Sequence, residues 1–261
     1  MRKKVKNFKN KLLLMLALIV SVNYQALAGG DTKELLAEAR ELFQNFKDSE
    51  ALQKYEELLQ VDSLHYEALC KASLINSRIG SRYTDETRKI QFFSSAKEYA
   101  AKAYHLQPQD DESNYVMALA ISNLAVVSGV KERIAVTKEL KAHLDQALRD
   151  NPEHADAWHL LGRWHYKVAN FNFAEVTAAN LLFGGVPLGA SNEKAIQAMQ
   201  QALKYSPNNI QYYYDLARMY KSLKEKEACK NTLQCAVSLS LVTSEDLEVS
   251  RRCKNMLENM K

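Results

Sequence analysis

Two sets of polar residues, 55 positions apart, have the types and spacing to hold an anion. His159, Arg163, Tyr166 and Lys167 lie at i, i+4, i+7 and i+8, so on a helix they share one face. Tyr214, Arg218, Lys221 and Ser222 occupy the corresponding places further on. A guanidinium offers a planar fork of donors and an ammonium a point charge, so together they suit a carboxylate or phosphate, with tyrosine rings as walls. An acidic peptide, the terminal carboxylate of a polypeptide or an anionic lipid head group would each meet such a surface. The same residues also suit a solvated helix face whose long stems cover apolar neighbours. Arg78, Tyr115 and Asn123 fall at comparable places earlier in the sequence.

The sequence offers little to catalysis. There is no G-x-S-x-G, no phosphate loop, no dinucleotide fingerprint and no H-E-x-x-H. His154, His159 and His165 are five and six residues apart, which spreads them around a helix instead of aligning them on a metal. Carboxylate pairs such as Glu56-Glu57 and Asp110-Asp111 are sequence neighbours that read as solvated. The expectation is a non-enzyme with no cofactor and no metal.

The elements that position these residues follow from composition and period. Of 261 residues 47% are hydrophobic and 25% charged, with only 8 Gly and 4 Pro, which favours helix over a turn-rich β-fold. Three of the four prolines close one pattern: Ala96, Ala100, Ala103, Pro108; Leu140, Leu144, Ala147, Pro152; and Ala195, Met199, Ala202, Pro207. Weaker copies run Ala51, Tyr55, Leu58, Ser63 and Cys229, Leu233, Ala236, Leu241. Residues four and three apart share a helix face, and a proline soon after stops the helix.

The closing positions 63, 108, 152 and 207 are 45, 44 and 55 apart, exceeding the 34-residue tetratricopeptide period by 11, 10 and 21. After Pro152 the opening helix supplies Trp158, Leu161, Gly162 and His165, and after Pro207 the equivalent stretch gives Tyr213, Leu216, Ala217 and Tyr220. In such pairs the small residue admits the facing helix and the large ones fill the remaining space. The expected fold is all-α, a tetratricopeptide-like solenoid of about five helix pairs. The repeats run over about 32–65, 66–110, 111–154, 155–209 and 210–243, with a C-terminal capping helix over 244–260. The surplus residues are expected between the two helices of repeats two, three and four.

In the fourth repeat that surplus carries Phe171, Phe173, Leu181, Leu182, Phe183, Val186, Pro187 and Leu188. It is too apolar for a free loop, so its side chains are expected to bury themselves. They would pack across the groove of the array, or form a lid or apolar pocket beside the cationic stripe and so house an acyl tail.

Leu161–Tyr166 (LGRWHY), Asn180–Pro187 (NLLFGGVP), Glu193-Lys194-Ala195 and Pro207-Asn208 together resemble the regulator of microtubule dynamics family, over most of the sequence from about Thr32. The resemblance implies a divergent tetratricopeptide fold acting as a helical adaptor, with microtubule association in eukaryotic members and phospholipid binding in one branch. Partner or lipid binding by the concave surface is the portable part of that implication.

Residues 1–28 read as a cleavable export signal: Arg2, Lys3, Lys4, Lys6, Lys9 and Lys11, then an apolar run from Leu12 to Val22, then Ala26-Leu27-Ala28. The apolar run is too short for a permanent span. Setting aside these six cations leaves 29 basic against 31 acidic residues, a net of −2 that gives no support to a nucleic-acid partner. The body is expected in the periplasm or outside the cell, binding a protein or peptide through the groove, with an anionic lipid as the alternative. Cys70, Cys229, Cys235 and Cys253 read mainly as buried free thiols, with Cys235–Cys253 the best-placed pair should a bridge form.

Overall fold

Helix follows helix over residues 32–260, the part of the protein described by the structure, a computed structural model. The export-signal reading of residues 1–28 lies outside the described residues. The order is α1 (residues 32–44), α2 (Asp48–Val61), α3 (Tyr66–Arg82), α4 (Glu86–Leu106), α5 (Asp111–Val126), α6 (Val130–Ala135), α7 (Thr137–Asp150), α8 (Ala155–Ala169), α9 (Phe173–Leu182), α10 (Asn192–Tyr205), α11 (Ile210–Ser222), α12 (Lys226–Ser238) and α13 (Ser244–Glu258). No strand occurs among the described residues. Five antiparallel pairs stack in sequence, with α13 covering the last, so the fold is an α-solenoid with a cap.

Local chemistry sets the helix starts. Asp85, Asp110, Asn172, Ser191, Asn209 and Thr243 accept hydrogen bonds from the first free backbone N–H groups of α4, α5, α9, α10, α11 and α13. His65 and His154 do the same at α3 and α8 through Nδ1, an unusual use of imidazole.

The repeated pattern marks the second helix of every pair. All fifteen of its positions, from Ala51, Tyr55 and Leu58 to Cys229, Leu233 and Ala236, are buried. In the fourth pair Gly162 sits so close to α10 that a methyl group there would meet the Ala195 carbonyl and Met199 Cγ, both at 3.0 Å. Leu161, Ala195 and Ala202 are buried around it, Trp158 is half-buried with its indole N–H donating to the Pro152 carbonyl at 2.8 Å, and Pro207 is exposed in the turn after α10. His165, at the place Tyr220 takes in the next repeat, is buried, and Tyr166 beside it faces a cavity.

The surplus residues depart from expectation in the second repeat. They form no insertion there: α3 and α4 run to 17 and 21 residues and only residues 83–85 join them. Aromatic packing supports the added turns, with Tyr83 stacked on Phe92 at 5.4 Å and the Phe93 ring against Gly80. In repeats three and four the surplus does lie between the paired helices, as α6 and as α9 with its following loop, and these two extra helices pack on each other.

The fourth-repeat insertion also departs from its expected burial. Phe173 (87% exposed), Leu181 (78%), Leu182 (55%) and Leu188 (97%) face outward. Phe171 and Val186 pack on the core, and Phe183 is half-buried. The reason is that α9 turns Glu175 and Ala179 inward, so its other faces have nothing to cover them.

Among the cysteines, all four are free thiols; Cys70, Cys229 and Cys253 are buried while Cys235 is exposed, so neither the Cys235–Cys253 bridge nor burial of Cys235 is present. Burial pushes the Cys70 thiol up to about 12 and the Cys253 thiol up to about 11, which keeps both protonated and unreactive. Among the described residues no helix is long and apolar enough to cross a membrane.

Candidate ligand groove and side cavity

The first helices of successive pairs place α3, α5, α8, α11 and the cap α13 around one concave groove of about 820 Å³. His159, Arg163, Tyr214 and Arg218 line it, as do Arg78, Tyr115 and Asn123. Tyr166 and Lys167 face instead a neighbouring cavity of about 500 Å³, which shares Arg163, Asp215 and Arg218 with the groove. Lys221 is exposed and lines neither space.

Charge in the groove is more balanced than the sequence pattern suggests. Asp48, Asp156, Asp215, Glu245, Asp246 and Glu248 stand among Arg78, Arg82, Arg163, Arg218 and Arg252. His159 Nε2 lies 2.9 Å from Asp215 Oδ2, and its ring stacks on Tyr212 at 4.5 Å. Burial pushes the Asp215 carboxyl up, but the His159 hydrogen bond and the nearby Arg163 charge outweigh it and hold it below its usual range. Lys167 is paired with Glu175 at 2.7 Å, and Arg218 approaches Asp215 at 3.8 Å. Arg163 makes no hydrogen bond or salt bridge among the described residues, and Arg218 is largely exposed.

The sequence did not single out the carboxylates that hold this face together. Asp156, His159 and Tyr166 on α8 bond to Tyr212, Asp215 and Ser222 on α11, and every one of these pairs is 56 residues apart. The signal was present as an offset one larger than the 55 that aligns the repeats. A second unforeseen contact runs between two groove-lining elements: Arg82 at the end of α3 reaches Glu245 on the cap at 2.7 Å while also holding the buried Asp48.

The side cavity lies between α5, α7, α8 and α11, and the paired extra helices α6 and α9 form its wall. Its surface is mostly apolar, with Val126, Ile134, Leu140, Leu160, Trp164 and Phe171 lining it, and Arg133, Arg163, Lys167 and Arg218 are the cations on it. Of the seven apolar insertion residues singled out besides Phe171, namely Phe173, Leu181, Leu182, Phe183, Val186, Pro187 and Leu188, none lines it.

Of five buried polar atoms without partners among the described residues, Tyr55 Oη and His165 Nδ1 belong to residues that line neither space, and three belong to residues that do. Ser77 Oγ and Asn123 Nδ2 line the groove, and Arg133 Nε lines the side cavity.

The histidines of the sequence trio serve three separate neighbours. His154 caps α8 and faces Glu112 at 3.6 Å, His159 pairs with Asp215, and His165 packs edge-on against Trp164 at 5.0 Å. Asp110, Asp111 and Asp150 bring carboxylate oxygens within 4.8 Å of one another, and each is already engaged at the α5 start by Tyr66, Asn151 or a backbone N–H.

A family model described as regulator of microtubule dynamics protein 1-3 matches residues 35–261. Among individual relatives, regulator of microtubule dynamics protein 3 of Xenopus laevis is 29% identical over 194 residues, covering 74% of this chain and 42% of that protein. Regulator of microtubule dynamics protein 1 of Mus musculus is 25% identical over 241 residues, covering 89% of this chain and 76% of that one. The chain therefore spans less than half the length of the first and about three quarters of the second. Among solved structures, a thermophilic TPR protein of Thermus thermophilus superposes with a TM-score of 0.63 at 18% identity, covering 87% of this chain and 99% of that one.

Proposed function

Since the chain belongs to the regulator of microtubule dynamics protein 1-3 family, we propose that it is a non-catalytic scaffold whose concave groove takes an extended, acidic peptide segment of a partner protein. The observation that carries this reading is Arg163, which has no ion-pair partner among the described residues, and the largely exposed Arg218, both on the wall of one groove with Tyr214 and His159. An acidic side chain or terminal carboxylate of an extended peptide would meet the guanidinium pair. His159 and Tyr214 supply the flat walls, Tyr166 and Lys167 extend the surface toward the side cavity, and Lys221 adds charge at a distance. The balance of Asp215 and Asp156 against the arginines supports selectivity over simple attraction of any anion.

The test is a peptide-array screen followed by titration. Arg163→Glu with Arg218→Glu is expected to weaken acidic peptides at least about tenfold with helical circular dichroism unchanged, because each lost charge-assisted hydrogen bond is worth about 1.5–3 kcal/mol. Unaltered binding by the double variant overturns the groove assignment.

A second reading rests on the side cavity. Its apolar wall with the unpartnered Arg133 Nε suits an amphiphile, the acyl tail inside and the anionic head at Arg133, Arg163 and Arg218. Native mass spectrometry of the purified protein before and after solvent extraction distinguishes it: a lipid mass lost on extraction supports it, and a bare protein that takes none from anionic vesicles removes it. Export is proposed from residues 1–28 alone, and N-terminal sequencing of the mature protein, expected to start at Gly29, tests it.

A further inference from the structure

The insertion of the fourth repeat presents an apolar tip that neither the groove nor the side cavity uses. Phe173, Thr177 and Leu181 are spaced i, i+4, i+8 on α9, and Phe173 and Leu181 are among the most exposed apolar side chains of the molecule. Beyond the helix, Gly184 (φ 69°), Gly185 (φ 102°) and Gly189 (φ 78°) hold a loop in backbone conformations that only glycine adopts freely, and that loop projects Leu188 almost wholly into solvent. From residue 171 to 191 the only charged side chain is Glu175, which points inward and is neutralised by Lys167. The outward surface of the insertion therefore carries no charge of its own, and its protruding side chains are apolar save Asn172 and Asn180.

Lysines surround it. Lys138 Nζ donates to the Phe183 carbonyl at 3.0 Å and Lys194 Nζ to the Gly189 carbonyl at 2.7 Å, so two ammonium groups are tied to the backbone on either side of Leu188. Lys167, 55% exposed, stands over the Phe171 ring at the root of the insertion. Four protruding apolar side chains are too few for a standard protein interface, which takes some 20–30 residues a side. They do suit the head-group boundary of a bilayer, where apolar side chains penetrate and flanking lysines meet anionic heads.

We propose that the α9 tip, through Phe173, Leu181, Leu182 and Leu188 with Lys138 and Lys194, docks the protein peripherally on an anionic membrane surface. None of these six residues lines the concave groove, so docking leaves the groove open. The inference does not rest on the peptide reading.

Flotation of the full-length protein with vesicles tests it, using phosphatidylcholine alone and phosphatidylcholine mixed with phosphatidylglycerol. The protein is expected to float with the anionic vesicles and not with the neutral ones. Leu181→Asp with Leu188→Asp is expected to lower the partition coefficient about tenfold or more, and both sites are exposed enough that the fold tolerates the change. Lys138→Glu with Lys194→Glu is expected to lower it several-fold, and added salt to weaken wild type but not the lysine variant. In a separate variant, Leu188→Trp should shift its emission to the blue on anionic vesicles. Failure of the wild type to float, or equal flotation of the leucine variant, overturns the proposal. So does a wild-type dimer in light scattering that the leucine variant converts to monomer, because a second copy would then cover the patch.

Discussion

Repeats two and four both exceed the length a helix pair needs, yet the surplus has opposite fates. In repeat two it lengthens α3 and α4, and the added turns bury Phe93 and stack Tyr83 on Phe92. In repeat four it leaves the pair altogether, forming α9 and a glycine-bearing loop whose apolar side chains stay in solvent. The sequences differ in a physically simple way. Residues 83–106 hold one capping aspartate, Asp85, and no glycine, so nothing interrupts the helix once begun. Residues 170–191 hold Asn170, Asn172 and three glycines, which stop α8, start α9 and end it again. Surplus kept in regular structure becomes core, and surplus expelled from it becomes surface available for binding.

The sharpest way to break this contrast is to remove an aromatic from the regular surplus. Phe93→Ala is expected to destabilise by about 3–5 kcal/mol in urea unfolding, since the ring is 3% exposed and closes on Gly80.

Next comes acid. Burial, with Lys141 and Lys194 adding to it, holds the His165 imidazole down to about 4, while Asp145 pulls weakly the other way. The folded state thus binds its proton less readily than the unfolded state. The stability this residue contributes is complete above about pH 6.5 and falls as pH drops toward about 4, by up to about 3 kcal/mol. His165→Phe should remove that part of the pH profile of the melting temperature. A variant whose profile parallels wild type would show that this ring does not report the α8–α10 interface.

A smaller effect isolates the expelled surplus. Glu175→Ala removes the side-chain acceptor for the Asn172 N–H in the capping box and the Lys167 pair, and is expected to cost about 1–2 kcal/mol. Hydrogen exchange should quicken over residues 173–191 while α3 and α4 keep their protection. Smallest of all, Phe173→Ala should alter stability by no more than about 0.5 kcal/mol, because the ring is 87% exposed. A loss comparable to that of Phe93→Ala would erase the distinction between the two repeats.

Much of the scaffold was legible because its logic is local and repeated. The Ala-Leu-Ala type pattern recurs five times, and each copy occupies the buried stripe of a second helix; Gly162 is small because α10 passes over it. Of the cationic stripe, His159, Arg163, Tyr214 and Arg218 share the groove wall, while Tyr166 and Lys167 turn to the side cavity and Lys221 lines neither space. What escaped were relations between distant segments. Asp215 looks like an ordinary helix acid until His159 is placed 2.9 Å away, and Lys167 reads as free until α9 brings Glu175 to it. Nothing local to Arg133 reveals that its Nε will be buried in the wall of a cavity. The outward turn of Leu181 and Leu188 was missed for a different reason. Apolar composition predicts burial only when some partner surface remains uncovered, and Glu175 and Ala179 had already taken the inner face of α9.

The Arg82–Glu245 contact ties the second repeat to the cap, two elements 163 residues apart in sequence. It is a solvent-exposed ion pair, worth no more than about 1 kcal/mol and weakened by salt. The Asp48 carboxylate behind it is buried, so the same guanidinium carries one salt-sensitive tether and one sheltered from ions.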